Sequence, residues 1–147
     1  MTRADFSFFH PYQVRYSDID SQQVVYFAQF FVIANAAIHD YFEWLDFPYR
    51  VGGWQNAETD FHFAHTAADY RRPIAYGERL NLGVRTAKLG NASITLSIGV
   101  FQEGHDAAAV EITMVLVNFD RTSHKTQALP DDFAAALKQK EGVSRGG

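Results

Sequence analysis

Residues 14–31 read VRYSDIDSQQVVYFAQFF, and this stretch decides how the rest of the chain must fold. It passes from a strand-like run through a short polar turn into an unusually apolar helical segment. Asp20 lies on the turn, just ahead of the helix. Backbone N–H groups at a helix start lack intrahelical acceptors and carry a partial positive charge. They favour a nearby ionised carboxylate and can polarise a bound carbonyl, so the segment is a candidate reactive site.

The apolar segment predicts one long helix over residues 28–45. Its apolar residues recur at helical spacing but cover more than one face. They are Phe27, Phe30, Phe31, Ile33, Ala34, Ala37, Ile38, Tyr41, Phe42, Trp44 and Leu45. Other elements must therefore surround this helix on most sides. Pro48 and Gly52-Gly53 predict its end, and a loop without clear pattern follows to about Asp60, where it could cover the site.

From Phe61 onward, alternating apolar and polar residues predict a run of antiparallel strands. The turn signals between them are Pro73, Tyr76-Gly77-Glu78, Gly90-Asn91 and Glu103-Gly104-His105-Asp106. A single helix can cover such a sheet only if the sheet curls around it. We therefore expect one α+β domain over residues 1–147, with an N-terminal extension at about 1–9. A short terminal helix should follow, fraying into a flexible tail at about 141–147.

The second half of the last predicted strand is apolar on both faces. Val115, Val117 and Phe119 add a second apolar face to the one formed by the alternating residues before them. Burial on both sides of a strand requires a second covering surface. This pattern predicts contact with a partner subunit.

Composition excludes several classes of function. The chain has no cysteine, which rules out disulfides and a thiolate nucleophile. The net charge is −4 and the basic residues are scattered, so the sequence predicts no basic patch that would bind nucleic acid or an anionic membrane surface. Residues 1–6 lack the apolar run of a secretory signal, and no later stretch approaches the roughly 18 apolar residues of a membrane span. We expect a cytoplasmic protein whose partner is a small molecule.

Three stretches together resemble the hotdog-fold acyl-CoA thioesterases, specifically the branch similar to 4-hydroxybenzoyl-CoA thioesterase. The most specific is residues 14–31, with its strand, paired acidic residues, β-branched pair, aromatic pair and helix. Residues 69–80, DYRRPIAYGERL, resemble the family's strand, proline, small-residue turn and Gly-acidic pair. Residues 118–121, with Leu129-Pro130 following, resemble its closing strand. The chain departs from the family's glycine at Gln23 and from its asparagine at Gln29.

The resemblance implies a curved antiparallel sheet wrapped around the long helix, and hydrolysis of a short-chain or aromatic acyl-CoA to free acid and coenzyme A. It places the catalytic carboxylate at Asp20, as nucleophile or general base. The oxyanion donors would be backbone N–H groups near Tyr26, Phe27 and Ala28, with Gln23 beside the substrate. No metal or other cofactor is expected. The family also implies a homodimer or homotetramer with its site at the subunit interface.

Basic side chains are needed to hold the phosphates of coenzyme A. The candidates by strand position are Arg71, Arg72, Arg85 and Lys88. Solvated surface charge is the alternative interpretation of these four residues.

Other candidate residues have simpler interpretations. Asp18 would share a face with Asp20 if the strand continued, but a turn residue or a partner for Arg15 is the preferred interpretation. His39 and Asp40 could form a polar pair. His62 and His65 point to opposite faces of a strand, which disfavours a metal site.

Other functions stay open on the residues alone. One is an acyl-carrier-protein thioesterase, against which the net negative charge argues mildly. A second is a non-catalytic acyl-CoA-binding protein, which Gln23 and Gln29 keep in consideration. A third is a hydratase, which usually needs a histidine near the helix start, and none lies between His10 and His39. No Gly-x-Ser-x-Gly motif supports a serine hydrolase.

Overall fold

Five strands and two α-helices form the computed structural model, which describes residues 1–47 and 59–146. In chain order they are β1 (Phe8–Gln13), α1 (Gln29–Trp44), β2 (Phe61–Tyr70), β3 (Arg79–Leu89), β4 (Ser93–Gln102), β5 (Val110–Asn118) and α2 (Asp131–Glu141). The predicted helix at 28–45 is confirmed, as are the strands that follow it. The end signals at Pro48 and Gly52-Gly53 lie outside the described residues, as does most of the loop expected before Asp60.

The strands form one antiparallel sheet in the order β1-β3-β4-β5-β2. Strand β1 pairs with β3 at one edge, while β2 pairs with β5 at the other. The chain therefore crosses the whole sheet between β1 and β2, and α1 is the element that makes the crossing. Strand β2 lies at a sheet edge and most of its side chains are exposed.

The core lies between α1 and one face of the sheet. The buried helix residues are Phe30, Ile33, Ala34, Ala37, Ile38, Tyr41 and Phe42. Alternate residues of the three central strands meet them, among them Leu82, Ile98 and Ile112. This packing follows from the period-2 pattern of the strands and the broad apolar surface of the helix.

The opposite face of the sheet carries a smaller apolar cluster made by the N-terminal segment. Phe6 packs there with Phe101 and Ala108. A Cβ atom added at Gly83 would lie 2.5 Å from the Phe6 ring, so only glycine lets the ring approach the sheet this closely. The expected extension at 1–9 is thus folded against the domain, and its last two residues belong to β1.

Glu141 joins the end of α2 to the core. The Tyr41 hydroxyl donates to Oε1 of Glu141 and lies 2.7 Å from the Thr86 hydroxyl. The Thr86 N–H also donates to Oε1, at 3.3 Å. Burial raises the pKa of Glu141.

The residues after α2 differ from the flexible tail that we expected. The N–H of Gly146 donates to the Leu89 carbonyl at 2.9 Å, next to a parallel bridge between Arg145 and Leu89. The Arg145 guanidinium also donates to the Leu129 carbonyl. Backbone pairing with β3 therefore holds this segment, a long-range contact that local composition does not reveal.

No helix among the described residues combines the length and the hydropathy that a bilayer crossing requires.

Candidate active site

Asp20 lies on a tight turn between β1 and α1. Its N–H donates to the Val24 carbonyl at 3.0 Å, and its own carbonyl accepts the Gln23 N–H at 2.9 Å. The Gln22 N–H donates to Oδ1 of the carboxylate at 2.8 Å. For Oδ2, no hydrogen-bond partner is found among the described residues. Asp20 thus has the turn contact expected of an aspartate here, but one half-exposed carboxylate oxygen stays available to a substrate.

Gln23 adopts the backbone conformation that a glycine favours. Its φ is +65°, in the left-handed region. An L-residue pays roughly 1–2 kcal/mol for this conformation. The turn therefore keeps its geometry although Gln23 replaces the glycine common in the resembling family.

Asp18 fixes the turn from inside the protein. Only 2% of Asp18 is exposed. Its carboxylate accepts the Tyr12 hydroxyl at 2.7 Å, the Arg15 N–H at 2.8 Å and the Gln29 side-chain amide at 2.9 Å. The pKa of Tyr12 is raised to about 12. Burial is the largest cause, and the hydrogen bond to Asp18 is the next.

These contacts clarify two sequence-based interpretations. The strand ends at Gln13, and Tyr16–Asp18 form a short 3₁₀ turn, so the continued strand that would align Asp18 with Asp20 is absent from this segment. Asp18 is a turn residue, and its contact with Arg15 is through the backbone N–H. Gln29 is the second departure from the family pattern, and its side-chain amide donates a hydrogen bond to Asp18.

The start of α1 leaves backbone donors without acceptors among the described residues, the Phe27 and Ala28 N–H groups among them. The N–H of Tyr26 donates to the Asp18 carbonyl at 2.9 Å, so Tyr26 is not the free donor that we expected. No acceptor is found for the N–H of Phe27 or Ala28 within the described part of the chain. The N-cap, Ala28, has no side-chain cap, and the first turn has no acidic residue. The unpaired N–H groups of Phe27 and Ala28 at this helix end are therefore available to a developing oxyanion.

Two open grooves meet at Asp20. The first has a volume of about 340 Å³ and is lined by Asp20, Gln22, Val24, Val25, Phe27, Phe30, Tyr70, Arg71, Arg72, Pro73 and Ile74. The second has a volume of about 790 Å³ and is lined by Tyr16, Ile19, Asp20, Ser21, Gln23, Ala75 and Tyr76. We call them the arginine groove and the tyrosine groove. Among the described residues, Asp20 alone lines both.

The structure separates the four predicted phosphate-binding residues into two pairs. Arg71 and Arg72 line the arginine groove. Arg72 is held by the Gln102 side chain at 3.0 Å and the Ala107 carbonyl at 2.7 Å. Arg85 and Lys88 line neither groove, and the Arg85 guanidinium lies 5.9 Å from the Phe6 ring centroid. Within one protomer, the prediction for Arg85 and Lys88 is therefore not supported, because their stretch of β3 lies away from Asp20.

The sequence did not predict two contacts that tyrosines make at the grooves. The Tyr70 hydroxyl donates to the Phe27 carbonyl at 2.9 Å. Tyr16 and Tyr76 face one another at 6.1 Å between ring centroids, and both are largely exposed. Neither contact has a local sequence signal, because each joins residues more than forty positions apart.

The histidines lie elsewhere. His62 is 3.3 Å from Asp60, whose pKa is lowered chiefly by the hydrogen bond from Arg121 at 2.7 Å. Asp40 pairs with His10 at 2.5 Å, in a contact that joins α1 to β1. Within residues 1–47 and 59–146, no group of three or more His, Cys, Asp or Glu side chains is arranged to hold a metal ion.

The sequence profile of the thioesterase-like superfamily matches residues 14–137, which include the Asp20 turn, α1 and the whole of β2 to β5. The chain belongs to this superfamily. Membership confirms the resemblance drawn from residues 14–31 and the assignment of the protein as a thioester hydrolase. It also agrees with the fold, since the curved antiparallel sheet around one helix is the predicted hotdog arrangement.

Three known proteins are similar over most of the chain. A Nostoc punctiforme relative named 1,4-dihydroxy-2-naphthoyl-CoA hydrolase is 25% identical, covering 95% of each chain. A crystal structure of a Pseudomonas aeruginosa protein has a TM-score of 0.81 at 26% identity, covering 99% of this chain and 98% of that one. A 1,4-dihydroxy-2-naphthoyl-CoA thioesterase from Synechocystis has a TM-score of 0.79 at 18% identity, covering 88% of this chain and 94% of its own. The last similarity concerns the fold alone.

Proposed function

We propose that this thioesterase-like protein hydrolyses a short-chain or aromatic acyl-CoA to the free acid and coenzyme A. The observation that carries the proposal is the meeting of Asp20 and the start of α1 at one groove, where Phe27 also lies. A carboxylate with one free oxygen and a helix end whose Phe27 and Ala28 N–H groups are unpaired provide the base and the electrophile that thioester cleavage needs.

Two routes use the same atoms. In one, Oδ2 of Asp20 attacks the thioester carbonyl, the thiolate leaves, and water hydrolyses the mixed anhydride. In the other, Asp20 takes a proton from water, the hydroxide attacks the carbonyl, and that proton passes to the departing thiolate. In both, the N–H groups of Phe27 and Ala28 would stabilise the oxyanion. The N–H of Tyr26 is already donated to Asp18 and is left out.

The charge of the grooves favours one direction of binding. Arg71 and Arg72 give the arginine groove two cations for the phosphates of coenzyme A. The tyrosine groove would then receive the acyl group, beside Tyr16, Tyr76 and Gln23. An aromatic acyl group suits these exposed rings, and the Nostoc punctiforme relative is named for an aromatic acyl-CoA.

We also propose that the active form is a homodimer or homotetramer. Strand β2 has an unpaired edge, and Phe63 and Tyr70 on it are about half exposed. Val115 and Val117 on β5, and Phe119 directly after it, are partly exposed, as expected of residues that meet a partner. A cytoplasmic location stays a prediction of the sequence.

The test is thiol release from a panel of short-chain, medium-chain and aromatic acyl-CoAs. We expect Asp20→Asn to lower kcat by about 10²-fold or more, since general-base catalysis contributes about 10²–10⁴-fold. Asp106→Asn, the same charge change in the exposed β4–β5 hairpin, should retain full activity. Turnover that survives in Asp20→Asn would exclude the assigned carboxylate.

The same assay, extended to an acyl group on its carrier protein, separates the binding protein and the acyl-carrier-protein thioesterase from the proposed function. Thermal stabilisation by acyl-CoA with no thiol release from any substrate would identify a binding protein. Turnover of an acyl group on its carrier protein, without turnover of the coenzyme A ester, would identify an acyl-carrier-protein thioesterase.

A further inference from the structure

Tyr70, at the end of β2, reaches the backbone that precedes α1. Its hydroxyl donates to the Phe27 carbonyl at 2.9 Å. Its ring lies beside Phe30, at 5.8 Å between centroids. Burial raises the pKa of Tyr70, so the hydroxyl keeps the proton that it donates.

The Tyr70 contact completes the support of the peptide units around the free donors. The Tyr26 carbonyl, which shares a peptide unit with the Phe27 N–H, accepts the Gln29 N–H at 2.8 Å. The Ala28 carbonyl accepts the Phe31 N–H at 3.2 Å. The unit between them joins the Phe27 carbonyl to the Ala28 N–H, and its carbonyl is held by Tyr70.

The direction of one N–H follows from this contact. In a planar trans peptide the C=O and N–H of one unit point in opposite directions. A hydroxyl that fixes the Phe27 carbonyl therefore fixes the direction of the Ala28 N–H. Hydrogen bonds in series also polarise each other, which makes that N–H a stronger donor.

We propose that Tyr70 is a positioning residue that orients the Ala28 N–H toward the oxyanion of the reacting thioester. The inference rests on the proposed thioesterase function, because it assigns Tyr70 a part in the same oxyanion site. Tyr70 acts through the backbone, and its hydroxyl need not touch the substrate.

Tyr70→Phe removes the hydroxyl and keeps the ring against Phe30. We expect kcat to fall roughly 3- to 10-fold with KM within about twofold of the native value, which is the effect of one hydrogen bond lost in the transition state. Tyr70→Ala should lower kcat as well and also raise KM, because the ring lines the arginine groove. Ser7→Ala, which removes the hydroxyl of an exposed residue just before β1, serves as the control and should match the native enzyme.

An NMR measurement tests the orientation without turnover. In ¹⁵N-labelled protein, Tyr70→Phe should shift the Ala28 amide resonance and speed its exchange with solvent, while the Ser7→Ala spectrum keeps the native Ala28 signal. An unchanged Ala28 amide would overturn the inference. So would a native kcat in Tyr70→Phe, or a loss confined to KM. If native protein releases no thiol from any substrate, the proposed function fails, and the amide shift still decides whether Tyr70 holds this peptide unit.

Discussion

Gln29→Glu tests how Asp18 organises the site. The Gln29 amide donates to Oδ1 of Asp18 at 2.9 Å. A glutamate there places a second carboxylate against a buried one, where two unit charges about 3 Å apart repel by about 5 kcal/mol at an effective dielectric of 20. The protein can avoid part of this cost by binding a proton.

Protonation sets the upper limit of the effect. A glutamate with a usual pKa of about 4.3 costs about 1.4 kcal/mol per pH unit to keep protonated, or about 4 kcal/mol at pH 7. Because Gln29 is half-exposed, rotation toward solvent lowers this figure, and we expect a loss of about 2–3 kcal/mol.

The sign with pH follows from the raised pKa of Glu in the folded variant. The unfolded chain ionises at about pH 4.3, whereas the folded protein holds its proton to higher pH. The destabilisation is therefore absent below about pH 4 and grows as pH rises toward 7. Urea unfolding at pH 4.5, 5.5 and 7 measures it.

Two control variants isolate the contact. In Asp18→Asn with Gln29→Glu, the new amide can donate to the new carboxylate, so most of the pH-dependent loss should disappear relative to Asp18→Asn alone. Gln139→Glu makes the same change on an exposed position of α2 and should alter stability by less than about 0.5 kcal/mol. A Gln29→Glu protein as stable as the native one at pH 7, or a loss independent of pH, would refute the assigned contact.

Two further predictions concern the packing of the domain. Gly83→Ala should destabilise by about 1–3 kcal/mol in urea unfolding, because its Cβ would meet the Phe6 ring at 2.5 Å, and Phe6→Leu should recover part of the loss. Glu141→Gln keeps acceptors for Tyr41 and Thr86 but removes a carboxyl whose pKa is raised by burial. The native protein should therefore lose stability relative to Glu141→Gln as pH rises from 4 to 7, and equal pH profiles would contradict that burial.

The sequence predicts the elements of this fold better than it predicts their ends. The helix at 28–45 is evident because its apolar residues repeat at helical spacing, and the strands because theirs alternate. The end of β1 at Gln13 is less evident, since the 3₁₀ turn at Tyr16–Asp18 contains no glycine or proline. The segment after α2 was expected to fray, because its local composition gives no sign of the long-range pairing with Leu89.

The site shows the same division. Asp20 could be predicted as a candidate because its turn has a recognisable local pattern and a family resemblance. The N–H of Tyr26 was expected to be free, but it is donated to the Asp18 carbonyl, which depends on how the turn folds back. The contact from Tyr70 to Phe27 depends on the placement of β2, and no spacing along the chain encodes it.

Asp20 is shared by the arginine and tyrosine grooves, and no other residue in the described part of the chain lines both. If coenzyme A lies in the arginine groove and the acyl group in the tyrosine groove, substitutions at Tyr16 or Tyr76 can alter the acyl preference. Arg71 and Arg72 would still bind coenzyme A. Selection could then change the two preferences independently. A change of substrate would then need substitutions in one groove only, with Asp20 unchanged.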